Sequence, residues 1–214
     1  MFLQGTQGFM AVEVAEGMYM FRAGDTFEQD PVFYANPIHD LESMWWLLIW
    51  SVFSHIPESS EHLYDAEAVS QQSAARKTLF FDQKERMLCL MTQTLFYRHY
   101  RSRLPHLLGP LASGAHRVLA TLRDMYTKVE KSFPIPTSAF DGVHEAMMAS
   151  MASMKKNLVG SLDDVKFVRL GAVGKQLLEK ERRKDENQKK RKRQQQEQAA
   201  EQQPNSRMRL EDQD

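Results

Sequence analysis

The stretch from Leu41 to Phe53 limits most strongly what this chain can fold into. On a helix, its large apolar side chains cover nearly the whole circumference: Leu41, Met44, Trp45, Leu47, Leu48, Ile49, Trp50, Val52 and Phe53. A helix that is apolar all round belongs in the middle of a packed domain. It is also well short of the roughly 20 residues that cross a bilayer, so we predict no membrane span and no membrane partner.

Polar and helix-breaking residues suggest where this central helix begins and ends. Asp40 follows the break at Pro37, and its carboxylate can accept a hydrogen bond from a free backbone N–H group, so we predict Asp40 as the N-cap. Pro57 is predicted to end the helix. Residues 57 to 78 are polar and predict a surface loop or a short exposed helix.

The rest of residues 1 to 174 is also predicted to be mainly α. Residues 1 to 38 read as loop with one short helix around Ala11 to Glu16. Three apolar stripes with helical spacing follow, and no segment alternates like a half-buried strand. The stripes are Met87, Leu90, Met91, Leu95 and Phe96; Val118, Leu119, Leu122, Met125, Tyr126 and Val129; and Val143, Met147, Met151, Met154 and Leu158.

Charge divides the chain into two parts. The totals of 28 basic and 28 acidic residues cancel, but residues 175 to 214 carry 12 basic and 9 acidic groups, a net charge of +3. We therefore predict a domain at 1–174 and a Lys/Arg/Glu/Gln-rich tail at 175–214. Because the tail has almost no large apolar residue after Leu178, we expect a solvated helix to about Arg193 or disorder, without a core.

Cysteine usage and the N-terminus indicate an intracellular protein. The single Cys89 excludes a disulfide framework. The first fifteen residues lack the basic and continuous apolar regions of a secretory signal. The seven histidines show no metal-ligand spacing with one another or with Cys89, so no zinc site is predicted.

Two blocks of sequence together resemble consecutive parts of a protein-kinase C-terminal lobe. Residues 5 to 13 read Gly-Thr-Gln-Gly-Phe-Met-Ala-Val-Glu, similar to the end of an activation segment with its Ala-Pro-Glu element, Val12 standing where many kinases have Pro. Residues 39 to 43 read His-Asp-Leu-Glu-Ser and resemble the start of that lobe's central buried helix. Over about residues 5 to 56, the chain most closely resembles the fungal-type protein kinase family.

The resemblance implies a helical C-lobe of a protein-kinase-like fold, here without its N-lobe. Gly5 and Thr6 would lie in the substrate-facing loop, and Asp40 would cap the central helix and hold the backbone of the catalytic loop. Glu13 would form a buried ion pair with a later arginine, for which the sequence leaves Arg98, Arg101 and Arg103 as candidates. The residues to which we assign structural roles are Glu13, Asp40, Ser43, Trp45 and Trp50, with the tryptophans in the core.

Phosphoryl transfer needs groups that this sequence does not contain. The glycine-rich loop, the strand lysine, the catalytic-loop Asp and the metal-binding Asp precede the Ala-Pro-Glu element in kinases. No replacement follows, because Phe140-Asp141-Gly142 has the kinase letters in the wrong order. The intact family uses ATP and magnesium, whereas we expect this chain to be a catalytically inactive fragment with no catalytic, cofactor or metal residues.

The alternative is a non-catalytic helical interaction module or a pseudokinase-like regulator. The expected partner is either another protein or the missing N-terminal kinase segment, and no small-molecule ligand is predicted. The run Lys189, Lys190, Arg191, Lys192 and Arg193 matches a nuclear-localisation pattern. Interleaved acidic residues and the lack of a nearby aromatic residue rank nuclear import above nucleic-acid binding.

Overall fold

The computed structural model describes residues 7–22, 31–92, 94–105, 108–131, 133–158 and 165–201. Within them the chain is mainly helical, which confirms the predicted class. The α-helices are α1 Val12–Glu16, α2 Pro37–Ser54, α3 Ala66–Phe81, α4 Gln83–Met91, α5 Gly109–Val129, α6 Val143–Leu158 and α7 Leu170–Glu201. Shorter 3-10 or π turns occupy Gln7–Phe9, Glu58–Leu63, Phe96–Tyr100, Arg101–Arg103 and Thr137–Phe140. No helix in these ranges has both the length and the apolarity to span a bilayer.

Two compact units divide the chain, Met1–Gly171 and Ala172–Asp214. The division falls three residues before the predicted boundary at residue 174. A small antiparallel sheet in the first unit pairs strand β1 (His55–Pro57) with β2 (Phe167–Arg169), with Ile56 opposite Val168. Neither three-residue strand is long enough to produce the alternating pattern by which sequence reveals strands.

The central helix α2 begins earlier than predicted, and Asp40 is not its cap. Asn36 is the N-cap: its side-chain oxygen accepts a hydrogen bond from the Ile38 backbone N–H (2.9 Å), and His39 Nδ1 accepts one from the Asn36 N–H (2.9 Å). Pro37 occupies the first helical position, where its fixed φ and missing N–H are tolerated. Pro37 therefore begins α2 and is not a break before it.

Most of the circumference of α2 is buried, as its apolar pattern predicts. Trp45 and Trp46 are fully buried with ring centroids 4.6 Å apart, and Trp45 Nε1 donates to the Ala115 carbonyl of α5 at 2.8 Å. One strip of the helix remains uncovered in the described part of the chain. This exposed strip comprises Asp40, Met44, Leu47 and Ser51, whose spacing places them on one face.

Of the two alternatives predicted for residues 57 to 78, a surface loop or a short exposed helix, the helix holds for the second half, where α3 lies with one side buried. Asp65 caps α3 by accepting from the Ala68 N–H at 2.7 Å. Gln72 is fully buried there: its amide donates to the Phe53 and His55 carbonyls at 3.3 and 3.2 Å and accepts from the Tyr64 hydroxyl at 3.0 Å. A polar residue thus occupies a core position of α3. It interrupts the apolar stripe from which a buried helix is predicted.

The second and third predicted stripes correspond to α5 and α6, which pack against each other at Gly114. A Cβ added there would overlap Met154 Cγ and lie 2.9 Å from its Sδ. Met154 is buried, so its side chain has little room to move. The close approach of these two helices therefore depends on glycine at position 114.

We expect Gly114→Ala to lower the free energy of unfolding by about 1 kcal/mol, because overpacking typically costs about 1–3 kcal/mol and the better helix propensity of alanine returns about 1 kcal/mol. Gly171→Ala is the matched control, since a Cβ there meets nothing within 4 Å. It should leave stability unchanged or slightly higher. Urea unfolding measures the stability of both variants. In a Met154→Ala background, Gly114→Ala should no longer lower the stability, because the side chain that the new Cβ meets is gone. A loss of stability that persists in this background would contradict the packing.

The C-terminal helix α7 runs from Leu170 to Glu201, eight residues beyond the predicted end at Arg193. From Leu178 to Gln198 every residue is exposed, as expected for a solvated charged helix. An exposed ion pair between Arg182 Nε and Glu186 Oε1 (3.7 Å) links one turn to the next. Such i,i+4 pairs stabilise a helix by only a few tenths of a kcal/mol each.

Candidate functional site

A buried group of ionisable side chains lies where α1, α2 and the end of α5 meet. It contains three carboxylates, Glu13, Glu42 and Glu130, each fully buried, together with His39 and Tyr126. We refer to these five residues as the carboxylate cluster. Charged groups are rarely buried unless they are paired, hydrogen-bonded or neutralised, so each member must be accounted for.

Glu13 is buried as predicted, but its partner is not an arginine from the region 98 to 103. Its Oε1 accepts from the Met20 backbone N–H at 2.7 Å, and its Oε2 lies 3.0 Å from His39 Nε2. Arg101 instead lies over the Tyr97 ring, with its guanidinium carbon 5.2 Å from the ring centroid. The predicted Glu13–Arg ion pair is therefore wrong in its partner, because the Met20 N–H and the His39 ring contact the two carboxylate oxygens.

The hydrogen bonds of His39 identify its tautomer. Nδ1 accepts from the Asn36 N–H, so the ring hydrogen is on Nε2, which donates to Glu13. Burial lowers the pKa of His39, since removing the ring from water disfavours its charged form. His39 therefore acts as a neutral donor that joins the start of α2 to α1.

Glu13 and Glu130 are two buried carboxyls in hydrogen-bonding contact, and the pKa of each is raised. Burial is the main cause and raises the pKa of Glu13 to about 7 and that of Glu130 to about 9, while the hydrogen bond between them favours the protonated form of Glu130 and the ionised form of Glu13. Glu130 Oε2 accepts from the Phe21 N–H at 2.7 Å, whereas its buried Oε1 accepts no hydrogen bond from the described residues. The raised pKa values therefore favour a protonated Glu130 carboxyl beside Glu13.

Glu42 is surrounded by donors. Its Oε1 accepts from the Val12 backbone N–H at 2.9 Å and from Trp46 Nε1 at 2.7 Å, and its Oε2 accepts from the Tyr126 hydroxyl at 2.6 Å. Burial raises the pKa of Tyr126 well above its ordinary value, and the Glu42 charge reinforces this, so the phenol remains a donor. Three donors from α1, α2 and α5 therefore converge on one carboxylate.

The buried guanidinium of Arg86 compensates the charge of Glu42. It lies over the Trp46 ring at 4.6 Å from the centroid, and one of its terminal nitrogens donates to the Met10 carbonyl. Burial lowers the pKa of Arg86, and the attraction of Glu42 opposes that effect. The arginine that supports this region thus comes from α4.

The carboxylate cluster is sealed from solvent, and this limits its chemistry. Two open clefts of about 690 and 700 Å³ lie on the first unit, and no carboxylate of the cluster lines either one. The first is lined by Phe9, Trp50, Phe80, Phe81, Gln83 and Arg86, the second chiefly by aromatic and proline side chains. A group that substrate cannot reach does not act on it, so the arrangement serves to join chain segments.

Of the other first-unit residues singled out in the sequence, Ser43 contacts the carboxylate cluster only through the His39 backbone, and Trp50 is not a member of it. Gly5 and Thr6 lie outside the described residues. Ser43 Oγ donates to the His39 carbonyl at 2.9 Å, and the half-buried Trp50 packs edge-on to Phe80 with centroids 4.9 Å apart. The basic residues Lys189, Lys190, Arg191, Lys192 and Arg193 are exposed on α7.

Sequence reasoning missed Glu42, Glu130 and Arg86 as members of this region. Glu42 left a signal, since an acidic residue inside an otherwise apolar helix requires a buried partner. Glu130 directly follows an apolar stripe and gives no signal of burial. Its contact with Phe21 spans 109 residues, and no local pattern reports a contact of that kind.

Comparisons with known proteins find no relative. No protein-family model matches the chain, no curated protein matches it, and no solved structure matches its fold. Among the described residues, no three His, Cys, Asp or Glu side chains are arranged to hold a metal ion.

Proposed function

We propose that this chain forms the helical C-terminal lobe of a fungal-type protein-kinase-like domain and acts through protein contacts without transferring phosphate. One observation carries the proposal: the two blocks with kinase-like motifs lie against each other. Val12 N–H donates to Glu42 at 2.9 Å, and His39 donates to Glu13 at 3.0 Å. Segments that resemble consecutive parts of one lobe thus share a buried polar contact.

The absence of phosphoryl-transfer motifs from the printed sequence supports the non-catalytic part of the proposal. Kinase catalysis consists of positioning the phosphates and the metal and stabilising the transferred charge. The sealed carboxylate cluster offers no group that a nucleotide could reach. Its three carboxylates are committed to backbone N–H groups, the ring nitrogens of His39 and Trp46, and the Tyr126 hydroxyl.

The exposed strip of α2 is the surface on which we expect a protein partner, or the segment that carries the kinase catalytic loop. Met44 and Leu47 are each about half exposed, at 50% and 49%, on a helix whose other apolar residues are mostly buried. Asp40 lies on the same face at the start of the helix. By resemblance, Asp40 is the residue that would hold the backbone of the catalytic loop.

Titration of the purified chain with magnesium-ATP tests the proposal. We expect no calorimetric binding at nucleotide concentrations up to about 1 mM, and no transfer of γ-phosphate to serine- or threonine-containing protein substrates. An active serine/threonine kinase in the same assay provides the positive control. Micromolar ATP binding accompanied by phosphate transfer would show that the chain is a complete enzyme and would refute the non-catalytic assignment.

The same preparation distinguishes a kinase lobe from the alternative, an independent interaction module. A lobe purified without a bound partner should self-associate through the exposed strip, and the double variant Met44→Gln/Leu47→Gln should reduce this association without lowering stability. Sedimentation equilibrium measures the change. A wild-type chain that unfolds cooperatively and stays monomeric would favour the independent module.

A further inference from the structure

The structure assigns the basic run of α7, Lys189–Arg193, a second role that the proposed function does not include. We propose that α7 binds double-stranded DNA by lying in the major groove and contacting phosphates on both walls, without reading a specific sequence. The sequence alone ranked nuclear import above nucleic-acid binding. The helical conformation of the run and the distribution of its charges reverse that order.

The charged residues in and directly around the basic run at 189–193 are all basic. Between Asn187 and Gln196 there are five basic residues and no acidic residue. Over residues 180 to 193, nine Lys and Arg outnumber three Asp and Glu, a net charge of +6. The three acidic residues Glu181, Asp185 and Glu186 all precede Asn187, and Glu186 pairs with Arg182. The five cations therefore form a concentrated site for a polyanion.

Geometry then selects the kind of polyanion. Successive residues of an α-helix are rotated by about 100°, so five consecutive cations point in all directions around the axis within a rise of about 6 Å. A flat anionic surface can meet only about half of them. The major groove of B-form DNA is about 12 Å wide and admits an α-helix of about 10–12 Å diameter, with phosphates on both sides.

The environment of the run leaves it open to such a ligand. All five residues are exposed, as is every described side chain from Leu178 to Gln198. A receptor that reads the run as an extended chain would have to unwind this part of α7 first. The lack of aromatic residues argues against stacking on single strands, but contacts to duplex phosphates do not require them.

The test measures binding of the full chain to a fluorescent 24-base-pair DNA duplex of mixed sequence by anisotropy. With about five phosphates neutralised, the logarithm of the affinity should fall with that of salt at a slope of about −4 to −5. Between 50 and 200 mM salt this corresponds to about a 10²- to 10³-fold loss. No binding at 50 mM salt, or a slope near zero, would overturn the proposal.

Two variants separate the run from general charge. Neutralising it with K189Q/K190Q/R191Q/K192Q/R193Q preserves helix propensity and should weaken binding at 50 mM salt at least about tenfold. A matched control, K77Q/K84Q/R98Q/K128Q/K155Q, removes five exposed basic residues of the first unit and should change affinity less than about threefold. Equal losses in the two variants would refute the assignment to α7.

Conformation and ligand class are tested with the same readout. Gln188→Pro keeps every charge but breaks the helix just before the run, and it should weaken DNA binding at least about fivefold. A double-stranded RNA of equal length should bind more weakly, because its major groove is too narrow for a helix. Undiminished binding by the proline variant, equal binding to RNA, or binding to polyglutamate in preference to DNA would each overturn the proposal.

Discussion

Glu42→Ala should destabilise the first unit by about 3–5 kcal/mol, the largest effect that we expect from a single substitution. The change leaves the Val12 N–H, the Trp46 ring N–H and the Tyr126 hydroxyl buried without their common acceptor. It also removes the carboxylate that attracts the buried guanidinium of Arg86. Breaking a buried charge network from one side typically costs this much. Urea unfolding followed by tryptophan fluorescence measures the loss.

Two controls on the same helix give this prediction its specificity. Glu42→Gln keeps the shape and an acceptor oxygen, so it should cost roughly half as much or less. Ser51→Ala changes a position on the exposed strip of α2 and should alter stability by no more than about 0.5 kcal/mol. If Glu42→Ala is as mild as Ser51→Ala, the three donors do not converge on Glu42 as described.

The stability of wild-type protein should fall as pH rises from 7 to 8.5, and Glu130→Gln should remove that fall. The pKa of Glu130 is raised to about 9 in the folded state, mainly by burial, so this carboxyl stays protonated there while it is ionised in the unfolded chain. The folded state then holds one more proton, and stability decreases by about 1.4 kcal/mol per pH unit. Over this interval the expected loss is about 2 kcal/mol.

A glutamine at position 130 keeps the hydrogen bond to Glu13 with an N–H group that does not titrate. The free energy of unfolding of the variant should therefore change by less than about 0.5 kcal/mol over the same range. At pH 8.5 the variant should be more stable than the wild type. His39 does not contribute to the change over this interval, because its pKa is lowered and its titration affects stability only at lower pH. Glu145→Gln, at an exposed site, should behave like the wild type. A parallel decline in Glu130→Gln would contradict the raised pKa of Glu130 as the cause.

The regular helices were predictable because their apolar stripes follow the helical period. Helices α2, α5 and α6 each present such a stripe, and the short α1 was also found. Helix α3 was predicted only as one of two alternatives, because Gln72, a core residue, is polar and is satisfied by backbone carbonyls from another segment. The start of α2 was misplaced because Pro37 can either break a helix or begin one, and only the cap at Asn36 decides which.

The candidate site was predictable only in part. An acid in the apolar surroundings of Glu13 needs a partner, and this much follows from the cost of burying charge. The partners of Glu13 are His39 and Glu130, which lie 26 and 117 positions away in the sequence. Only tertiary packing brings these side chains together. The sequence therefore indicates that a buried contact exists at Glu13 without indicating which residues complete it.

A double-mutant cycle on Glu13 and His39 tests most directly whether the two blocks that resemble kinase motifs form one buried polar contact. Stability at pH 7 is measured for Glu13→Ala, His39→Ala and the double variant. We expect a coupling free energy of at least about 1 kcal/mol, since contacting residues in one network are non-additive. Additivity within about 0.3 kcal/mol would show that the blocks do not meet through these side chains and would remove the observation on which the proposed function rests.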